Sequence, residues 1–434
     1  METGGINFGE FDWEAGSMMM GSWPKVKLAD CVDLLAGFPF KSNRFTDNPG
    51  DVPLVKGENV SQGRILWDIS KRWPVSDWEI MQKFHLVPGD VVVAMDRPWI
   101  PAGLKWSVIR EGDPKALLVQ RCARLRSRKE CLNQIFLRFV IGGPEFEGYV
   151  KPITTGVNVP HISGNQILDF EFTLPPLPTQ RRIAGILSAY DDLIENSQRR
   201  IKILEEMARR LYREWFVYFR FPGHEGCRLV DSPLGEIPEG WEVCNLKDAA
   251  TVTYGFPFAS KKFNTSGIGT PVIRIRDIPA GLSATFTGES AEDRYHVKNG
   301  HILIGMDGDF HMCIWSSGHA FQNQRVARFE SNGQIGNFHL FLALECPVQE
   351  FNKAIVGTTV AHLGDMHIKT IKLVWPPYEL RAKARDVLEP MSEQIIDLKC
   401  QIQNLRRTRD LLLPRLLSAQ IDVEALPEPV AFEP

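Results

Sequence analysis

The feature that most constrains this chain is a repeat of its own text. GFPFKSNRF (37–45) returns as GFPFASKKF (255–263), 218 positions later. At the same offset Trp23 matches Trp241, Leu28 matches Leu246, Asp30 matches Asp248 and Pro53 matches Pro271, and PLVKGENV (53–60) faces PVIRIRDI (271–278). Further pairs keep the order: GDVVVAMD (89–96) with GHILIGMD (300–307), QRCAR (120–124) with QRVAR (324–328), His161 with His362, and Pro175–Pro176 with Pro376–Pro377. Five collinear blocks make the chain a tandem duplication. The offset shrinks to 211, 204 and 201 along the way. Those steps fall between predicted strands, as loops of variable length on a shared scaffold do.

Each copy has two parts, and 434 residues accommodate two or three domains. The expected layout is a leader 1–22, a first head 23–175, a helical region 176–220, a linker 221–240, a second head 241–375, a second helical region 376–423 and a tail 424–434. The heads read as mixed α and β, with short strands (VVVAM, HILIGM, TIKLVW) punctuated by Gly, Pro, Asn and Asp. The helical regions carry a heptad seam. In the first it runs Ile183, Leu187, Tyr190, Ile194, Ser197, Ile201, Leu204, Ala208, Leu211, Trp215. In the second it runs Ala384, Leu388, Met391, Ile395, Leu398, Ile402, Leu405, Arg409, Leu412, Leu416, with Arg409 the one break.

Two such helices are expected to pack on each other. The chain order makes them antiparallel and relates the copies by a pseudo-twofold axis. The fold class is therefore α+β, with two similar heads separated by a coiled coil of two long helices. Roughly 38 residues at 1.5 Å each predict a spacer of about 55–60 Å.

Composition narrows the setting. A hydrophobic content of 44% and a charged content of 24% are those of a soluble globular protein. No apolar run approaches the length of a membrane span. Eight cysteines without a C-x-x-C pair signal neither a zinc site nor a disulfide framework, and point to a reducing cytoplasm. The net charge of −3 becomes +1 once Glu2, Glu10, Asp12 and Glu14 of the leader are set aside. That leader lacks a basic n-region and an apolar h-region, so it is not a signal peptide; Met18, Met19 and Met20 suggest a later start or a disordered tail.

Two related heads on a twofold rod suit duplex DNA, whose antiparallel strands offer equivalent phosphates to a twofold protein. About 17 base pairs fit along the spacer at 3.4 Å each. Heads of different sequence would read two different half-sites with an unread gap between them. The first head offers Lys41, Arg44, Lys56, Asn59, Arg97, Lys105 and Arg121 as DNA contacts. The second offers Lys261, Lys262, Arg274, Arg276, Asp277, His311 and Arg325. Lys and Arg supply phosphate contacts, Arg binds a guanine edge bidentately, and the repeat-equivalent Asn59 and Asp277 can bond base edges. Arg121 and Arg325 either face a phosphate or pair with a local carboxylate. The blocks common to both copies are expected to carry the fold, with GFPF a turn and core element and His161 and His362 structural. No catalytic or metal-binding residues are assigned.

At this point the residues resemble a family. LPPLPTQRRIAGILSAYDDLIENSQRRIKILEEMARRLYREWFVYF (174–219) resembles the central conserved region of the specificity subunits of type I restriction-modification systems. WPPYELRAKARDVLEPMSEQIIDLKCQIQNLRRTRDLLLPRLLSAQIDV (375–423) resembles their distal conserved region. The GFPFKS, GD-hydrophobic-M and PHI/AHL elements resemble marks of their target recognition domains.

The resemblance implies a non-catalytic subunit whose two recognition domains read a split, asymmetric site in double-stranded DNA. It implies two modification subunits as partners, which carry adenine-N6 methylation and bind S-adenosylmethionine, and restriction subunits that join that core. No cofactor is expected on this chain, and no membrane.

WPPYE (375–379) imitates the PP-aromatic tetrapeptide of adenine methyltransferases. Its first position is Trp375, which cannot accept the bonds of a target amine, and LPPLP at the matching place of the first copy marks a helix start instead. No Gly-rich strand-to-helix turn of a cofactor site is present. The alternative reading is a tandem coiled-coil structural or assembly protein that reads no DNA. It gives the heads no reason to differ in their loops.

Overall fold

The computed structural model describes residues 23–101, 103–154, 160–354 and 362–423. The expected leader 1–22 and tail 424–434 lie outside the described residues. The fold divides into two compact units, one of residues 1–192 with 406–434, the other of residues 193–405.

In each unit the head is built on an antiparallel sheet whose centre is the shared hydrophobic block. Val91–Ala94 is buried at all four positions, as a continuous β-branched run requires. It lies in the order Val32–Ala36, Cys122–Ser127, Val91–Ala94, Trp106–Val108. The second head repeats that order with Ala250–Tyr254, Val326–Ser331, Ile302–Gly305 and Met312–Ile314.

A second sheet in each head contains one parallel pair: Val52–Val55 with Ala116–Leu118, and Thr270–Ile273 with Ala320–Gln322. Here the copies differ. The second head's sheet has five strands and gains Phe263–Asn264 at its edge, where the first head's has four.

The repeated GFPF sits where these two sheets meet. Phe38 and Phe256 bridge in parallel to Val119 and Asn323. A Cβ on Gly37 would lie 2.2 Å from the Val119 carbonyl oxygen, and one on Gly255 would lie 2.0 Å from that of Asn323. Only glycine permits this approach. The next aromatics pack edge-on, Phe38 with Phe40 at 5.0 Å and Phe256 with Phe258 at 4.9 Å. GFPF is thus a packing element in both copies.

The first and last strands of each head pair antiparallel, Lys25–Lys27 with Glu171–Thr173 and Glu242–Asn245 with Lys372–Trp375. The chain therefore leaves each head beside the point at which it arrived. Pro-Pro follows, and then a long helix: Leu177–Tyr212 in the first copy, extended by a π-helical turn Arg213–Val217, and Tyr378–Leu417 in the second. The region expected as a plain linker, 221–240, holds a β-hairpin of Leu229–Ser232 and Gly235–Pro238. No helix among the described residues is long and apolar enough to cross a membrane.

Both units contain an antiparallel helix crossing. In the first, Ile183, Ala184 and Leu187 share a core with Leu413, Leu416 and Leu417, and Asp191 pairs with Arg409 at 2.6 Å. In the second, Ala208 shares a core with Leu380, Ala384, Leu388 and Ile395, joined by Ile201, Leu204, Leu211 and Met391 at its edge, and Lys399 approaches Glu205 at 3.6 Å. Ile194, Leu398 and Ile402 are buried, and Tyr190, Leu405 and Leu412 half-buried. The break at Arg409 is filled by charge: Asp191 accepts from both Arg409 and Arg138.

Candidate nucleic-acid interface

Three loops of each head converge on one carboxylate. In the first head Asp96 follows the central strand, Arg121 lies in the turn before Cys122–Ser127, and His161 precedes the short helix Gly164–Leu168. Backbone bonds staple them: Met95 N–H donates to the Arg121 carbonyl at 2.8 Å, and Ile162 N–H to the Met95 carbonyl at 2.8 Å. On that frame His161 Nδ1–H donates to Asp96 Oδ1 at 2.6 Å, and an Arg121 Nη1–H donates to Asp96 Oδ2.

The second head repeats the arrangement with the same three residue types. Met306 N–H donates to Arg325 at 2.9 Å and Leu363 N–H to Met306 at 2.7 Å. His362 Nδ1–H donates to Asp307 at 2.6 Å, and Arg325 Nε approaches Asp307 at 3.3 Å.

The electrostatics are layered. Burial pushes the Asp96 carboxyl up, but the bonds from His161 and Arg121 outweigh it and hold it below the usual carboxylate range. The anion sits inward at 18% exposure, while Arg121 is 65% exposed. Arg97 (φ 43°) and Arg121 (φ 67°) both hold left-handed backbone, a strained state for a side-chain-bearing residue that clusters at functional sites. The second arginine of QR-x-AR behaves differently. Arg124 bonds the His85 carbonyl at 3.1 Å and Arg328 bonds that of His296, so both are structural.

Beside the second constellation lies a cleft of about 610 Å³. Arg274, Arg276, His311, Asn323, Gln324 and Arg325 line it with Asp307 and Asp309, over a wall that includes Phe258 and Phe263. Of the residues singled out from sequence in this head, four therefore meet in one place. Arg274 stands over the Phe263 ring at 5.7 Å, as Lys56 stands over Phe45 at 5.7 Å in the first head. Lys261 and Lys262 are exposed on the adjoining turn Ser260–Lys262, and Lys262 pairs with Glu289 at 3.2 Å. In the first head Lys41, Arg44 and Arg97 are exposed, Arg44 pairs with Asp77 at 2.9 Å, and Lys56 pairs with Glu58 at 2.9 Å.

Three expectations are corrected. Asn59 is fully buried, where it accepts from Lys56 N–H at 2.8 Å and donates to the Leu54 carbonyl at 3.0 Å. Asp277, its repeat equivalent, is also buried and accepts from Arg274 N–H at 2.9 Å. Both close a turn and do not face a ligand. Lys105 is 8% exposed, and burial lowers its pKa; a phosphate contact needs a lysine that reaches water. Its repeat equivalent His311, matched through the carbonyls that accept from Ala94 and Gly305, is exposed.

Sequence reasoning missed Asp96 and Asp307 as hubs, and Asn323 and Gln324 in the cleft. The aspartates were visible as the shared end of GDVVVAMD and GHILIGMD, and His161 and His362, expected to be structural, are 43% and 44% exposed. The PP-aromatic imitation is settled by position: Pro376 and Pro377 join strand to helix, and the Arg381 guanidinium lies 4.6 Å from the Trp375 ring and 5.9 Å from the Tyr378 ring.

Known proteins resemble this chain in sequence and fold. The family described as type I restriction modification DNA specificity domain matches residues 20–206 and again 238–405, one match per repeat. The MjaIX type I restriction enzyme specificity subunit of Methanocaldococcus jannaschii is 26% identical over 308 residues, covering 67% of this chain and 70% of its own. The putative MjaX specificity subunit of the same organism is 24% identical and covers 93% and 94%. The S subunit of a type I restriction-modification system from M. genitalium has the same fold, with a TM-score of 0.58 at 16% identity over 92% of this chain and 96% of that one. Specificity subunits are the non-catalytic components of their systems. With both repeats matched in full order, this chain belongs to the type I restriction-modification specificity subunits.

Proposed function

We propose that this chain reads a bipartite, asymmetric site in double-stranded DNA, one half with each head. In this reading its helical regions recruit two modification subunits, which bind S-adenosylmethionine and methylate adenine at N6, and restriction subunits join that complex in the cytoplasm. The observation that carries the reading is the second head's cleft. Arginine, asparagine and glutamine side chains converge there on a space open to solvent, and those are the side chains that bond guanine and adenine edges. At the equivalent positions the first head carries other residues: Glu58 where the second has Arg276, Val119 where it has Asn323, and the buried Lys105 where it has His311. Equal scaffolds with unequal linings suit two different half-sites.

The test is single-molecule methylome sequencing of a methylation-free bacterium that expresses this chain with its modification subunit. A split N6-methyladenine motif that disappears when this chain is omitted is the expected result. No motif from a complex shown to assemble and to bind S-adenosylmethionine would refute the reading.

A further inference from the structure

We propose that Arg121 and Arg325, each anchored by its Asp–His pair, are the phosphodiester contacts common to the two heads, while the neighbouring unlike residues read bases. The proposal rests on the DNA-reading function above. Its ground is the contrast between what the duplication has kept and what it has changed within one small site.

The trio is kept in residue type, in the His–Asp bond, in the Arg–Asp ion pair and in the backbone bonds that carry it. Within the same site the charge at one position is reversed, from Glu58 to Arg276, and Val119 has become Asn323. If the heads read different half-sites, an element identical in both faces what both half-sites share, and two unlike DNA sequences share only their sugar–phosphate backbone. The chemistry agrees. A guanidinium has five N–H donors, and the carboxylate engages only one edge. The remaining donors point outward on side chains that are 65% and 54% exposed. The aspartates sit behind them at 18% and 29% exposure, so the ligand meets cation first.

The experiment uses the full chain assembled with its modification subunits, and two duplexes: one with the motif found by methylome sequencing, one with both half-sites scrambled. Arg121→Gln and Arg325→Gln are made singly, so that a failure of one head to fold leaves the other as the test. Affinity is measured from 50 to 200 mM salt. Each substitution should lower the slope of log K against log salt by about 0.9. Each should weaken both duplexes by the same factor and leave the methylated motif unchanged.

An unaltered slope in a folded complex would overturn the proposal and leave the trio as a structural staple. A motif relaxed at one base pair would overturn it in favour of base reading. If the parent complex yields no motif, it is the DNA-reading function that fails; the slope on scrambled DNA still decides whether these arginines meet phosphate.

Discussion

At the residue scale, the most demanding positions are those with no room. Gly37→Ala and Gly255→Ala each place a methyl group well inside the van der Waals contact distance of a carbonyl oxygen held by a β-bridge. Either should destabilise its unit by about 1–3 kcal/mol or more, seen as a lower denaturation midpoint. The opposite extreme is His339, buried at 3% exposure against Tyr212 and Phe216 with an unpartnered Nδ1. Burial, helped by the nearby Arg381 charge, pushes its pKa down to about 4. The unfolded imidazole takes up a proton near its ordinary 6.5 while the folded one does not. Stability contributed here is therefore full above about pH 6.5 and is lost as pH falls toward 4, by up to about 3 kcal/mol. His339→Phe should flatten that loss, measured as unfolding free energy across pH 4–7. The glycine was legible from the repeat; the histidine was not, because no local pattern distinguishes a buried imidazole from a surface one. Asn59 and Asp277 mark the same limit from the other side. Their equivalence was legible, but a polar residue that closes a turn and one that meets a ligand are written alike.

At the scale of elements, the duplication has exchanged partners at equivalent positions. Beneath the first head's sheet Asp90 accepts from Arg126 at 2.5 and 2.8 Å. The repeat equivalents are His301 and Glu330, 3.9 Å apart, with the carboxylate now on the other side; burial lowers the His301 pKa, so the ion pair gives way to a looser contact. The helix crossings show the same tolerance. Arg409 breaks the heptad as read from the sequence, yet Asp191 meets it together with Arg138. A one-dimensional period cannot register a partner from another helix, which is why this position was legible only as a defect. The two sides of the pairing should respond unequally. Asp191→Ala leaves Arg409 only Asp410 and Arg138 only Ser188 as hydrogen-bond partners among the described residues, and should cost about 1–3 kcal/mol, less than the about 3–5 of a fully buried pair. Arg409→Leu restores the apolar seam, leaves Arg138 paired, and should be close to neutral. Equilibrium unfolding of the two variants side by side tests the order; an Arg409→Leu loss as large as that of Asp191→Ala would mean that the Arg409 pairing itself stabilises the crossing.

At the scale of the whole molecule, the duplication separates two tasks that a single-headed reader would have to combine. What is common to the repeats and faces the ligand can only serve features common to the ligand's two halves. What differs can act on one half alone, because each lining belongs to its own unit. The consequence is a local exchange of specificity. Arg276→Glu with Asn323→Val gives the second head the first head's residues at two positions of its cleft, on a scaffold whose strand order is already the same. Arg276 is 65% exposed, and its substitution removes one hydrogen bond to the buried Thr285 hydroxyl at 3.1 Å and a 3.9 Å approach to Asp277. A lost bidentate base contact is worth about 1–3 kcal/mol of discrimination, or roughly 5- to 150-fold at the affected base pair. The methylome of a strain carrying the double variant should therefore show one half of the motif relaxed at one or two positions and the other half untouched. Relaxation in both halves would mean that the clefts do not read independently. An unchanged motif would place the second head's discrimination elsewhere on its surface, with the exposed turn Ser260–Lys262 the next site to alter.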